Sequence, residues 1–157
     1  MEFGLSTGTF DSTLDEKGRV VIPSSLRDRY QGELVITQGR ESCVWIMTKT
    51  AYKYFREKLK EQAETMTYDE KMAFLYLHIG SAKTAEVDPK SGRIQIPPTL
   101  RTYANLSKEC YVLSIDGHLE VWNVDSFRQF MNEMQTKAKR AMKKLGDINF
   151  FPEEELS

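Results

Sequence analysis

Two short stretches carry the residues best suited to chemistry: Asp15, Lys17, Gly18 and Arg19 in the first, Asp88, Lys90, Gly92 and Arg93 in the second. Arginine offers a planar fork of donors that matches a phosphate or the O6/N7 edge of guanine, and lysine offers a mobile point charge. A glycine among them lets the backbone turn with positive φ and come close to a ligand. Asp15 and Asp88 stand just before tight turns, where an aspartate accepts local backbone N–H groups, so both read as structural together with Gly18 and Gly92. The competing reading of each arginine is a pairing with its own aspartate, and residue chemistry alone leaves both open. Nucleophilic catalysis has less support. Ser24 and Ser25 flank the first stretch, but neither His78 nor His118 recurs in both, and each is remote in sequence. A Gly-Lys-Ser/Thr phosphate loop is absent from the sequence.

The stretches are two copies of one unit. From Arg19 to Arg27 and from Arg93 to Arg101, at a constant offset of 74, five of nine positions are identical: Arg, Ile, Pro, Leu and Arg. Self-similarity of this kind implies a repeated supersecondary element. Each copy reads as a hairpin that leads into a short helix. Phe10, Thr13 and Leu14, or Thr84, Ala85 and Val87, precede the turn; Arg19 to Ile22, or Arg93 to Ile96, follow it as a short strand. Pro23 and Pro97 end those strands, because proline cannot donate to a ladder. Ser24 or Thr99 is then expected to cap a helical turn that points Leu26 or Leu100 inward and Arg27 or Arg101 outward.

With 157 residues, 40% of them hydrophobic, the chain can bury a core as one domain made of two halves. Its net charge of −1 means that any nucleic-acid contact must come from a local cluster. The segment Met1 to Gly8 has no basic region ahead of a long apolar run, and no stretch approaches a membrane span of about 20 apolar residues, so a cytoplasmic protein without membrane contact is expected. Cys43 and Cys110 lie in apolar, non-corresponding positions and read as two buried free thiols. To bind zinc they would have to converge with His78 and His118 from unrelated contexts; the expectation is no metal, no cofactor and no enzyme.

The flanking segments repeat as well. Glu33 to Thr37 and Cys43 to Met47 read as paired strands, as do Glu109 to Ser114 and Leu119 to Trp122. Thr48 and Asn123 are N-cap candidates for helices from Lys49 to about Gln62 and from Val124 to about Leu145. Tyr52, Phe55 and Leu59 form the apolar stripe of the first. Between the halves, Thr67 and Glu70 make a capping box for a helix from about Asp69 to Ile79, with Met72, Leu75, Tyr76 and Ile79 as its apolar side and His78 near its end. The last helix starts with Phe127, Phe130, Met131 and Met134 and turns basic at Lys137, Lys139, Arg140, Lys143 and Lys144. Such a run is commonly a solvated face, with DNA or an acidic partner as the alternative. The expected organisation is 1–80 as the first repeat with its helices, 81–146 as the second with the C-terminal helix, and 147–157 as a flexible acidic tail carrying Glu153, Glu154 and Glu155.

Phe10 through Phe130 resembles the MraZ family of bacterial transcriptional regulators, relatives of the AbrB/MazE-type swapped-hairpin proteins. The resemblance rests on Thr13 to Arg19 with Ile22-Pro23 and Leu26-Arg27, on Asp88, Gly92-Arg93, Ile96-Pro97 and Leu100-Arg101, and on Leu119 to Trp122. Asp15 to Arg19 fits the family pattern Asp-x-x-x-Arg, while Asp88 to Arg93 holds one extra residue, which is expected to change the direction of Arg93. The resemblance implies an α+β, β-dominated fold in which two tandem ββαββ swapped-hairpin (AbrB-like) repeats interlock into one barrel-like domain, with longer helices after each repeat. It also implies ring-shaped homo-oligomers and a nucleoid-associated regulator that binds double-stranded DNA at short guanine-rich direct repeats, in the promoter of the division and cell wall gene cluster. By position it nominates Lys17 and Arg19, then Lys90 and Arg93, as DNA-binding residues. The alternative is an antitoxin-like module that grips a protein partner through its helices or tail.

Overall fold

The computed structural model describes residues 7–153, so Glu154 and Glu155 of the expected acidic tail lie outside the described residues. The fold is mixed α+β and rich in antiparallel strands. Eight strands are β1 (Gly8–Thr13), β2 (Arg19–Val21), β3 (Glu33–Gln38), β4 (Val44–Met47), β5 (Lys83–Glu86), β6 (Arg93–Gln95), β7 (Glu109–Ile115) and β8 (His118–Asn123). Six of them form one sheet in the order β1-β7-β8-β4-β3-β5, and β2 and β6 form a separate two-stranded ribbon.

Both sheets follow the sequence repeat. In the ribbon Val20 faces Ile94, with Arg19 opposite Gln95 and Val21 opposite Arg93, so the central pair is joined across the same offset of 74 that relates the copies. The large sheet reads symmetrically from its centre: β8 and β4 are adjacent, each is flanked by its hairpin partner β7 or β3, and β1 and β5 occupy the two edges. A pseudo-twofold therefore runs through both layers.

The expected local hairpins survive only at their tips. Asp15 N donates to Arg19 O at 2.9 Å and Asp88 N to Arg93 O at 2.9 Å, and Leu14 bridges Val20. Beyond those tips the strands part and pair across the molecule: β1 with β7, β5 with β3, and β2 with β6. Further cross-links repeat the pattern, with Ile22 N bonded to Gly92 O at 2.8 Å and Ile96 N to Gly18 O at 2.9 Å.

Alternation along the strands sorts the molecule into layers, because successive side chains point to opposite faces. Ile36, Val44, Ile46, Val112, Leu119 and Val121 face the ribbon and form one buried cluster with Val20, Ile22, Ile94 and Ile96. Leu26 and Leu100 close it, from the short helical turns Ser24–Leu26 and α3 (Pro98–Tyr103). Full burial of each such leucine contributes about 1.5–3 kcal/mol. Ser24 and Thr99 do not cap those turns. Pro23 and Pro97 hold the N-cap positions, with φ near −52° and −55° and no side-chain cap bond, since each strand's terminal proline already sets the extended entry.

The other face of the sheet is covered by α1 (Lys49–Glu61), by the turn Leu75–Ile79 that follows α2 (Tyr68–Phe74), and by α4 (Val124–Leu145). Thr48 and Asn123 accept the N-cap bonds of α1 and α4 from Ala51 N and Ser126 N. Trp45 meets Phe55 of α1, and Trp122 meets Phe127 and Phe130 of α4. The Thr67 and Glu70 side chains form the capping box of α2. That helix does not run unbroken to Ile79: Leu75–Ile79 is a π-turn, closed by Gly80 N on Leu75 O at 2.7 Å. The extra residue in the turn rotates the following face, so His78 is buried while Tyr76, expected on the apolar side, is exposed. His78 Nδ1 lies 2.9 Å from Gln38 O, and its ring stacks on Trp45. Among the described residues, no helix is long and apolar enough to cross a membrane.

Candidate nucleic-acid interface

The two turns meet across the ribbon. Val20 and Ile94 point into the core, which places Arg19, Val21, Arg93 and Gln95 on the opposite, outward face. Lys17 and Lys90 are exposed in the adjoining turns.

Asp15 organises the centre of this face. Its Oδ1 accepts from Lys17 N at 3.0 Å and Arg19 N at 2.9 Å. Its Oδ2 accepts from Arg19 Nε at 2.9 Å and lies 3.6 Å from Arg93 Nε. The Arg19 backbone N–H, with its guanidinium, outweighs desolvation and holds the carboxyl below the ordinary aspartate value. Arg19 thus pairs with its own aspartate, and Arg93 approaches the same one from the other copy. Side-chain exposures of 35% and 39% leave both guanidinium groups partly open to solvent.

Asp88 behaves differently because its turn is one residue longer. It accepts from Lys90 N at 3.1 Å and from Ser91 Oγ at 2.7 Å, and Ser91 Oγ in turn accepts from Arg93 N at 3.3 Å. The serine hydroxyl is the leading cause of its lowered pKa. Ser91 therefore takes the role at Asp88 that Arg19 takes at Asp15. The expectation that the longer turn changes the direction of Arg93 is met by this side chain's approach to Asp15.

Three contributors escaped sequence reasoning. Gln95 donates to Lys17 O at 2.7 Å, fastening the first turn to the second strand. Arg27 and Arg101 do not point outward as expected; each packs under the glycine of the opposite copy's turn, Arg27 beneath Gly92 and Arg101 beneath Gly18. Arg27 donates to Ile22 O at 2.9 Å and Ser91 O at 3.3 Å, whereas Arg101 Nε has no hydrogen-bond partner among the described residues. The signal was present in the shared offset of 74: an arginine repeated with the motif belongs to its geometry. Gly18 and Gly92 hold φ of +81° and +71°, and a Cβ at either would run into the arginine below.

The two turns and these arginines gather six cationic side chains, Lys17, Arg19, Arg27, Lys90, Arg93 and Arg101, against Asp15, Glu16 and Asp88. Such a surface can bind an anion through forks and point charges. His118 is spent elsewhere: its Nε2 lies 2.9 Å from Glu120, which also accepts from Trp122 Nε1 at 2.9 Å and Trp45 Nε1 at 3.2 Å. Cys43 and Cys110 are buried free thiols. Among the described residues no cluster of three His, Cys, Asp or Glu side chains could hold a metal ion. The start of α4 packs on the far side of the sheet from the ribbon, and its basic run, Lys137 to Lys144, lies on the fully exposed length of the helix beyond Met134.

Fold and site together define a duplicated α+β protein that turns two basic tips to one face. A family model described as "MraZ protein, putative antitoxin-like" matches residues 5–74 and 79–145. The protein named Transcriptional regulator MraZ from Treponema denticola is 34% identical over 145 residues, which cover 92% of this chain and 99% of that one. The chain belongs to the MraZ family.

Proposed function

We propose that this chain is a sequence-specific DNA-binding transcriptional regulator whose reading surface is the outward face of the β2/β6 ribbon. The observation that carries the proposal is the convergence of Arg19 and Arg93 on Asp15, with Lys17 and Lys90 at the flanks. The name of the Treponema denticola relative agrees with a role in transcription. In this reading the arginines address base edges and the lysines address phosphates. Cross-pairing of β2 with β6 supports a swapped-hairpin arrangement of the two repeats, 1–80 and 81–146. The targets are short guanine-rich direct repeats upstream of the division and cell wall gene cluster, and the protein acts in the cytoplasm on the nucleoid. One ribbon neutralises few phosphates; a ring of copies displays several at once and makes later contacts intramolecular, which suits repeated sites.

The test is a titration of repeat-bearing and scrambled duplexes across a salt series, with the protein's size followed by light scattering. Arg19→Ala should lose about 1–3 kcal/mol per engaged subunit and relax discrimination at one base, while Lys17→Ala weakens all duplexes alike and lowers the salt slope by about one. Arg93→Ala should cost less than Arg19→Ala, because Arg93 is not fixed by its own turn's aspartate. Unchanged affinity and salt slope in Arg19→Ala would remove the ribbon as the reading surface.

A further inference from the structure

The pseudo-twofold makes α1 and α4 counterparts, yet they are finished differently. Residues after α1 return through Ala63–Thr65 and α2, bringing Lys71, Leu75 and Ile79 opposite α1. Between the two helices runs a groove of about 490 Å³. Leu59, Leu75 and Ile79 supply apolar lining, and Lys53, Arg56, Lys60 and Lys71 set four cations against the single carboxylate of Glu57. Nothing in the described chain fills it. Helix α4 receives no such cover: every residue from 135 to 153 is exposed, so its last three turns project clear of the domain.

At the end of that arm stands the segment Asp147-Ile148-Asn149-Phe150-Phe151-Pro152-Glu153-Glu154-Glu155. It carries four carboxylates and no cation. Ile148, Phe150 and Phe151 are 55%, 53% and 78% exposed, a dense exposed apolar cluster. Segment and groove are complementary twice over, aromatic side chains against an apolar lining and carboxylates against a cationic rim. A groove of this volume is within the range of ligand pockets. The projecting helix carries the segment away from its own domain, which favours delivery to another molecule.

We propose that the C-terminal segment of one copy docks in the α1/α2 groove of a second copy. Phe150 and Phe151 enter the groove, and the glutamates that follow pair with Lys60 and Lys71. This contact involves the helical layer alone and is independent of the DNA-reading proposal.

The full-length Phe150→Ala/Phe151→Ala variant, whose own segments are disabled, serves as receptor for a fluorescent peptide of residues 146–157. Anisotropy should show saturable binding that weakens as salt rises, since the rim pairs are solvent-screened. Adding Lys60→Glu/Lys71→Glu to the receptor should weaken binding at least tenfold, and adding Lys143→Glu/Lys144→Glu should leave it within twofold. All four lysines are exposed, so these reversals preserve the fold. Absence of saturable binding up to millimolar receptor overturns the proposal. So does loss of binding in the α4 reversal with retention in the groove reversal, which would place the segment on its own helix.

Discussion

Replacing Gly92 by alanine should damage the protein more than replacing Gly18, although the two glycines are counterparts. Both hold left-handed backbone, which costs an alanine about 1–2 kcal/mol. Both also lie over an arginine from the opposite half, and the added methyl must displace it. At Gly92 the displaced group is Arg27, which gives up hydrogen bonds to Ile22 O and Ser91 O. At about 0.5–1.5 kcal/mol for each bond, the total for Gly92→Ala is roughly 2–5 kcal/mol. At Gly18 the displaced group is Arg101, whose Nε has no partner to lose, so the cost stays near the backbone strain, about 1–2 kcal/mol. For a chain of this size each kcal/mol lowers Tm by about 2–4 °C. Thermal and urea unfolding at one fixed protein concentration measure both variants. A double-mutant cycle of Gly92→Ala with Arg27→Ala should return a coupling of about 1–3 kcal/mol, the pair costing less than the sum of its members. Additive costs in that cycle, or a larger loss in Gly18→Ala than in Gly92→Ala, would refute the clamping of each turn by the other half.

Glu120→Ala should destabilise the protein by roughly 2–5 kcal/mol in urea titrations, because it strands the N–H groups of Trp45, Trp122 and His118 beneath the helices. Burial raises the Glu120 pKa, but those three donors outweigh it and leave the carboxyl below its usual value of 4.5. The stabilisation it provides is therefore present above pH 4.5 and fades as pH falls through the lower folded-state value; the gap between wild type and Glu120→Gln should close along the same path. Burial raises both thiols, Cys110 to about 11 and Cys43 further, so a thiol-specific reagent at pH 8 should react slowly with native protein and with two equivalents once it is unfolded. Asp15→Asn removes the shared anchor of Arg19 and Arg93, and a duplex titration should show weaker discrimination between repeat and scrambled DNA with the salt slope preserved.

Local signals carried well from sequence to structure. Thr48, Thr67 and Asn123 start their helices as expected, because a cap is decided within four residues. Asp116-Gly117 turns β7 into β8 with positive φ at both positions, a two-residue solution that its sequence specifies. Strand partners were less legible. Alternation says which side chains of β1 or β2 face the core, but a strand whose neighbour lies 74 or about 100 residues away gives the same alternation as a local hairpin. The positions of Arg27 and Arg101 depend on that pairing, so their local sequence, which points both outward, does not encode them. At the candidate site Lys17, Arg19, Lys90 and Arg93 are nominated by residue type and by the family resemblance, whereas the sharing of Asp15 between two arginines exists only once β2 and β6 are side by side. The π-turn at Leu75–Ile79 leaves no mark in a helical apolar pattern, and it exposes Tyr76, expected on the apolar side, while His78 is buried.

Ser91 has an effect out of proportion to one inserted residue. An exact twofold face is blind to polarity: an elongated ligand laid across it can be reversed end for end without changing a contact. Here one end of the ribbon has an arginine fixed by its own carboxylate, and the other has a serine in that place with its arginine leaning across the axis. The fused halves thereby distinguish head from tail, as identical partners in a symmetric pair cannot, and a face of that kind is matched to a ligand that itself has a direction.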